Sequence, residues 1–189
     1  MRRTAARITA GVFLTTGLLA LGYVAHVVMD VKAYQALEHR RFEEVRANAP
    51  AAPAVTEGSA IGEIQIPRLG LTAIVAQGDS ATILRRAVGH ISDTAMPGQS
   101  GNVVLAGHRD TFFRPLKRVR IGDAIRLKTQ GGDFEYLVES TAIVPPTDIQ
   151  VLEPTDRPTL TLITCFPFSY VGSAPDRFIV RARETGRPR

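Results

Sequence analysis

Seven short runs of β-branched aliphatics and threonine, each bounded by glycine, proline or polar residues, dominate the chain from residue 61 onward. They are IGEIQIP (61–67), LTAIVAQG (71–78), NVVLAG (102–107), AIRLKTQ (124–130), FEYLVESTAIV (134–144), TLTLITC (159–165) and RFIVRARE (177–184). Branched side chains fit a pleated, half-buried surface, whereas Gly and Pro interrupt one, so the runs predict strands. A helix is predicted over SATILRRAV (80–88) with Ser80 as its N-cap, and tight helical turns around Pro115 and over 147–154. A domain of about 125 residues with seven or eight short strands and little helix buries its core as a closed barrel or a sandwich.

The chain before residue 61 is built differently. Residues 8–29 are a run of 22 without a charge, preceded by Arg2, Arg3 and Arg7. A helix needs about 20 apolar residues to cross a bilayer. Basic residues stay on the cytoplasmic side. This predicts a cytoplasmic stretch (1–7), a single transmembrane helix in the plasma membrane (8–29) and everything later outside. A cleaved signal peptide could use Ala20-Leu21-Gly22 as its small-x-small site, but the apolar run continues through Tyr23, Val27 and Met29. Residues 30–60 read as a juxtamembrane helix followed by an Ala/Pro-rich tether (49–60). In the helix Val31, Tyr34, Leu37, Phe42 and Val45 form a loose apolar stripe; a solvated stalk reads equally well. The folded domain occupies 61–184, and 185–189 form a basic tail.

The basic balance of 23 Lys and Arg against 18 Asp and Glu raises the question of nucleic acid. Removing the three arginines and one aspartate of the first 30 residues leaves 20 against 17. No basic stripe interleaved with aromatics runs through the remainder, so a nucleic-acid partner is not expected. No Cys/His cluster has metal-ligand spacing, and Glu63, Asp79 and Asp93 are too scattered to claim a calcium site. No metal or other cofactor is expected.

Cys165 is the only cysteine. An exported chain with one thiol cannot form an internal disulfide, so that thiol is either buried and inert or kept for its reactivity. Free cysteine is usually buried. Three polar groups, however, stand at the ends of apolar runs: His108 after NVVLAG, Cys165 closing TLTLITC, and Arg177 opening RFIVRARE. A thiol attacks as its thiolate, which a neighbouring imidazole or cation favours. The same imidazole can protonate a departing amine, and a guanidinium can hold an oxyanion. The set suits acyl transfer.

The segments around those residues resemble the sortase family. TLITC (161–165) fits its Thr-Leu-x-Thr-Cys signature, AGHRDTFF (106–113) resembles its histidine motif, and VGSAPDRFIVRA (171–182) is similar to the loop and last strand that carry its arginine. The resemblance is greatest to class D sortases and covers roughly residues 60–184. It implies a closed eight-stranded β-barrel and a cysteine transpeptidase. Such an enzyme cleaves an LPXTG-like sorting signal through a thioester and passes the protein to an amine acceptor of the cell wall or another surface protein. Carried over, Cys165 is the nucleophile, His108 the general acid/base and Arg177 the oxyanion or substrate anchor. Thr164, beside the thiol, is expected to line the substrate groove. His90, in VGHISD, is expected on a loop near the groove mouth as a substrate contact and as the rival base. Asp110 is a candidate to orient His108, and FPF (166–168) departs from the tyrosine common after the cysteine.

Overall fold

The computed structural model describes residues 2–48, 55–169 and 172–186. Its strands are β1 (Ala60–Ile66), β2 (Leu71–Gln77), β3 (Val88–His90), β4 (Asn102–Ala106), β5 (Ala124–Thr129), β6 (Gly132–Val144), β7 (Thr159–Phe166) and β8 (Asp176–Gly186). They close into one barrel in the order β1-β2-β3-β4-β7-β8-β6-β5. Closure leaves no edge strand to be covered. Pairing is antiparallel except at β2–β3 and β4–β7. Alternation along the strands fills the interior with Leu105, Leu127, Leu160, Leu162 and Val180, all fully buried.

The seven runs correspond to seven of the strands. The eighth, β3, begins at Val88, the last residue of the segment expected to be helix 80–88. There α2 (Ala81–Leu84) makes a single turn before the chain extends. Val88 then pairs with Val75 of β2 in parallel, a tertiary contact worth more than the helix propensity of three residues. A further 3-10 turn, Pro67–Leu69, joins β1 to β2.

Ahead of the barrel, α1 (Arg2–Asn48) is one unbroken helix, so the expected span and juxtamembrane helix form a single rod. Its segment from Gly11 is long and apolar enough to cross a membrane. The later turns are a docked helix, not a solvated stalk. Phe42 is buried against the barrel, Gln35 accepts from the Ile74 amide at 2.9 Å, and His39 Nδ1 lies 2.6 Å from the Glu63 carboxylate. Arg46 reaches Asp133 at 2.7 Å, and Arg86 pairs with Asp30 at 3.0 Å. Glu63 pairs with both Ile74 and Lys128, and Lys128 with Asp133, so these contacts lie in one row across β2, β1, β5 and β6. The helix therefore crosses the strands instead of running along them. Its N-terminal part leaves the barrel on the β3 side, beside Arg86. Most of the Ala/Pro-rich tether, residues 49–54, falls outside the described residues, as do 187–189 of the basic tail. Thr185 and Gly186 of that tail belong to β8.

Candidate active site

Strand register assembles the site. In the parallel β4–β7 pair Ala106 stands beside Ile163, and the Gly107 amide donates to the Ile163 carbonyl at 3.1 Å. Two residues further on each chain come His108 and Cys165. In the antiparallel β7–β8 pair Cys165 stands directly opposite Arg177. The three groups so share one row at one end of the barrel. Leu160, Leu162 and Thr164 point inward, so alternation turns Cys165 outward, where it is half-buried. His108, Cys165 and Arg177 line one cavity of about 350 Å³ with Arg109, Asp110, Gly172, Ser173 and Ala174.

Packing holds the row in place. Phe113 donates its amide to the His108 carbonyl at 3.0 Å and lays its buried ring against Gly107. A Cβ on residue 107 would meet that ring at 2.8 Å, so glycine is needed immediately before the histidine. Thr164 does not line the groove. Its side chain is buried inside the barrel and donates to the Gly107 carbonyl at 2.7 Å, which ties the residue before Cys165 to the residue before His108. The correction follows from strand alternation, since neighbours of an outward residue face inward.

Arg109 was not legible as a site residue, although the histidine motif contains it. Its guanidinium donates to the carbonyls of Pro167 and Gly172, each at 3.0 Å, and so bridges the loop between Cys165 and Arg177. Arg177 Nη1 donates to the Ala174 and Asp176 carbonyls at 3.3 and 3.0 Å, which fixes its guanidinium on the cavity rim. The FPF residues close this end from below. Phe168 packs edge-on to Phe178 at 5.3 Å, and Phe166 stacks on Phe178 at 6.3 Å. Asp110 is exposed on the rim, and among the described residues no hydrogen bond joins it to His108.

His90 is placed differently from the expectation. It ends β3, not a loop, and is fully buried. Its Nε2 lies 3.0 Å from the Ala95 carbonyl and its Nδ1 2.9 Å from the Gln77 carboxamide. Burial lowers its pKa below the ordinary histidine value, opposed in part by the bond to Ala95. A side chain with no exposed surface and both ring nitrogens engaged cannot touch a bound peptide.

A groove of about 270 Å³ lies on the same outer face as Cys165, between β6, β8 and the 145–158 loop. Ala142, Val144, Val151 and Ile179 give it an apolar lining, and Arg181, Asp148 and Gln150 its polar rim. Asn102 pins the loop by donating to the Val151 and Glu153 carbonyls at 3.0 and 3.1 Å while accepting from Thr161 at 2.7 Å. Ile179 and Arg181 continue the outward row of β8 that begins at Arg177, so groove and cavity form one track about two strand residues apart. Among the described residues no group of three His, Cys, Asp or Glu side chains is arranged to hold a metal ion.

Residues 64–185 match the family model of the sortase domain. The chain is similar to sortase D of Bacillus subtilis, 39% identical over 124 residues that cover 65% of this chain and 63% of that protein. It is also similar to sortase SrtE1 of Streptomyces coelicolor, 31% identical over 86% of this chain and 53% of the relative. The chain thus spans between half and two thirds of these relatives. Among solved structures, a sortase D5 transpeptidase of Clostridium perfringens superposes with a TM-score of 0.69 at 29% identity, covering 82% of this chain and 98% of that one.

Proposed function

Because the chain belongs to the sortase family, we propose that it is a membrane-anchored cysteine transpeptidase acting on an LPXTG-like sorting signal. The observation that carries this reading is the single row of His108, Cys165 and Arg177 opening into one cavity.

The chemistry follows from that row. The sorting signal lies along the outer face of β8, its apolar residue in the groove between Ala142, Val151 and Ile179. Cys165 Sγ attacks the carbonyl carbon of the threonine. The oxygen takes the negative charge and is held by Arg177. His108 gives a proton to the departing glycine nitrogen, the C–N bond breaks, and a thioester remains on Cys165. An amine then attacks the thioester, His108 takes its proton, and the C–S bond breaks to release the thiolate and an amide-linked product.

In this reading α1 holds the enzyme in the plasma membrane with residues 1–7 in the cytoplasm and the barrel outside. Proximity favours an envelope-bound amine over water, since it raises the effective concentration of a partner without new contacts. The test is product mass. Full-length protein is incubated with an LPXTG-like peptide, with and without saturating triglycine as amine. An amide-linked product that depends on the amine supports transpeptidation; free acid alone with every amine tried replaces it with peptidase activity.

A further inference from the structure

The connection from β4 to β5, residues 107–123, crosses the end of the barrel that carries Cys165. Within it RPLKRVRI (114–121) holds four cations and no carboxylate.

Local structure sorts these side chains. Arg114–Arg118 is a 3-10 helix, which repeats every three residues. Phe113, Leu116 and Val119 fall on that period and pack on the core. Arg114 and Lys117 share the next face and Arg118 the third; all three are exposed, as is Arg120 beyond the helix. The chain then turns into β5. Gly122 takes a φ of 86°, the Arg120 amide donates to the Asp123 carboxylate at 2.8 Å, and the Asp123 amide to the Arg120 carbonyl at 3.1 Å. A positive φ at the third residue suits glycine. Ile121 stands at the apex of this pinned turn, 74% exposed.

The carboxylates nearby are engaged elsewhere. Asp123 accepts from Arg68 Nη2 at 2.6 Å, and Glu139 pairs with Arg183 at 2.9 Å. Asp110, the connection's other acid, lies at the catalytic cavity. Among the described residues none of Arg114, Lys117 and Arg118 forms an ion pair. Cations around one exposed apolar apex suit a segment that lies on an anionic bilayer.

The anchor says which surface covers it. Asp110 and Thr111 line one cleft with Tyr23 and Val27 of the uncharged run, and Arg114 follows Thr111 by three residues. The cations therefore begin beside the part of α1 that enters the bilayer, and the leaflet around α1 is the surface within their reach.

We propose that residues 114–121 are a second membrane contact, with Arg114, Lys117, Arg118 and Arg120 on anionic phospholipid headgroups and Ile121 dipping into the leaflet. The contact turns the active-site end of the barrel toward the membrane, because Phe113 of the same connection holds the His108 carbonyl. The proposal rests on the membrane-anchored reading and adds a lipid class and the residues that recognise it.

The test uses the full chain with Cys165→Ala and Ile121→Cys, labelled at its single thiol with a fluorophore. It is reconstituted in phosphatidylcholine vesicles with or without phosphatidylglycerol, and spin-labelled lipid quenches any probe that reaches the bilayer. Quenching is expected with phosphatidylglycerol and should be lost in high salt, which screens the contact. Adding Lys117→Glu/Arg118→Glu/Arg120→Glu should lower the ratio of docked to undocked barrel on the order of a hundredfold, at about fivefold per cation. A probe at Asp156→Cys should stay unquenched, since that residue precedes Thr159, which pairs with the start of β4 at the opposite end of the barrel. Equal quenching with and without phosphatidylglycerol, or quenching that survives salt, overturns the proposal, and the salt arm needs no charge-reversed variant to fold. A probe that responds to soluble poly(glycerol phosphate) but not to phosphatidylglycerol gives the surface to an anionic wall polymer and overturns it too. Failure of the protein to float with pure phosphatidylcholine vesicles overturns the anchored reading itself.

Discussion

Two Gly-His pairs sit on neighbouring strands of this barrel and have opposite fates. Gly89-His90 ends β3 and Gly107-His108 follows β4, and the strands pair directly, Gly89 with Ala106 and His90 with Leu105. Each glycine is required by close approach. A Cβ at 89 would meet the Gly78 carbonyl at 2.5 Å, and one at 107 would meet the Phe113 ring at 2.8 Å. Each histidine is therefore rigidly held. What separates them is the row in which they stand. His90 faces Gln77 and Ala95 in a sealed interior, whereas His108 lies beyond the last β4 pair, beside Cys165 and open to solvent. Rigid placement by a strand is common to both and does not identify a catalytic group; access to the reacting atoms does.

The largest expected effects test that division. Cys165→Ala should abolish acyl transfer, and His108→Ala should lower turnover on the order of 10³-fold, each with an unchanged melting temperature. His90→Ala should do the reverse. It leaves the Ala95 carbonyl and Gln77 unsatisfied around a cavity, a loss of about 3 kcal/mol of stability, while turnover per folded molecule stays near wild type. Calorimetry together with turnover normalised to the folded fraction reads both. A His90 variant that folds normally and loses turnover more than His108→Ala would reverse the assignment.

Arg177→Lys comes next, because lysine keeps the charge but cannot reproduce a forked, multi-donor contact. By comparison with loss of one oxyanion donor, turnover should fall about 10²–10³-fold. Near-normal turnover would mean that charge alone suffices, and normal turnover in Arg177→Ala would turn attention to Arg181 on the same β8 face.

A smaller effect is expected at Arg109, which positions the 166–176 loop without touching the reacting atoms. Arg109→Lys cannot bond Pro167 and Gly172 at once, and single-turnover thioester formation should slow about tenfold, the equivalent of one net hydrogen bond. The barrel's melting temperature should hold. A lower melting temperature with an unchanged acylation rate would make Arg109 a structural brace only.

Much of this arrangement was legible in the sequence because local chemistry and strand ends coincide at His108, Cys165 and Arg177. The row itself was not, since the β4–β7 pairing joins segments 57 residues apart, from Val104 to Thr161, in a parallel register that only the closed barrel sets. β3 was hidden because Val88 closes a helix-like pattern and Gly89 and His90 follow it without a strand-like run, and the three become a strand only through β2. The docking of α1 was hidden because Gln35, His39 and Arg46 resemble solvated helix residues, and their partners Ile74, Glu63 and Asp133 are scattered along three strands. Thr164 could have been read correctly: once Cys165 faces out, alternation turns its neighbour in.

The smallest effect sharpens the comparison through pH. His90 has its pKa lowered by burial, so in the folded protein it resists protonation, while in the unfolded chain it titrates near 6.5. Above that value both states hold a neutral imidazole and pH has no effect through His90. As pH falls below about 6.5 the unfolded chain takes up a proton that the folded one refuses, and stability drops until the folded pKa is reached. The slope contributed cannot exceed about 1.4 kcal/mol per pH unit, the value of one proton. His90→Gln can still hydrogen-bond and cannot titrate, so it should be less stable than wild type at pH 7.5 and lose less on going to pH 5.5. Urea midpoints of both proteins at the two pH values measure the difference directly, with the other titrating groups cancelling between them. Equal losses in wild type and His90→Gln would show that acid reaches the barrel through other groups and that the sealed histidine is not the pH-sensitive member of the pair.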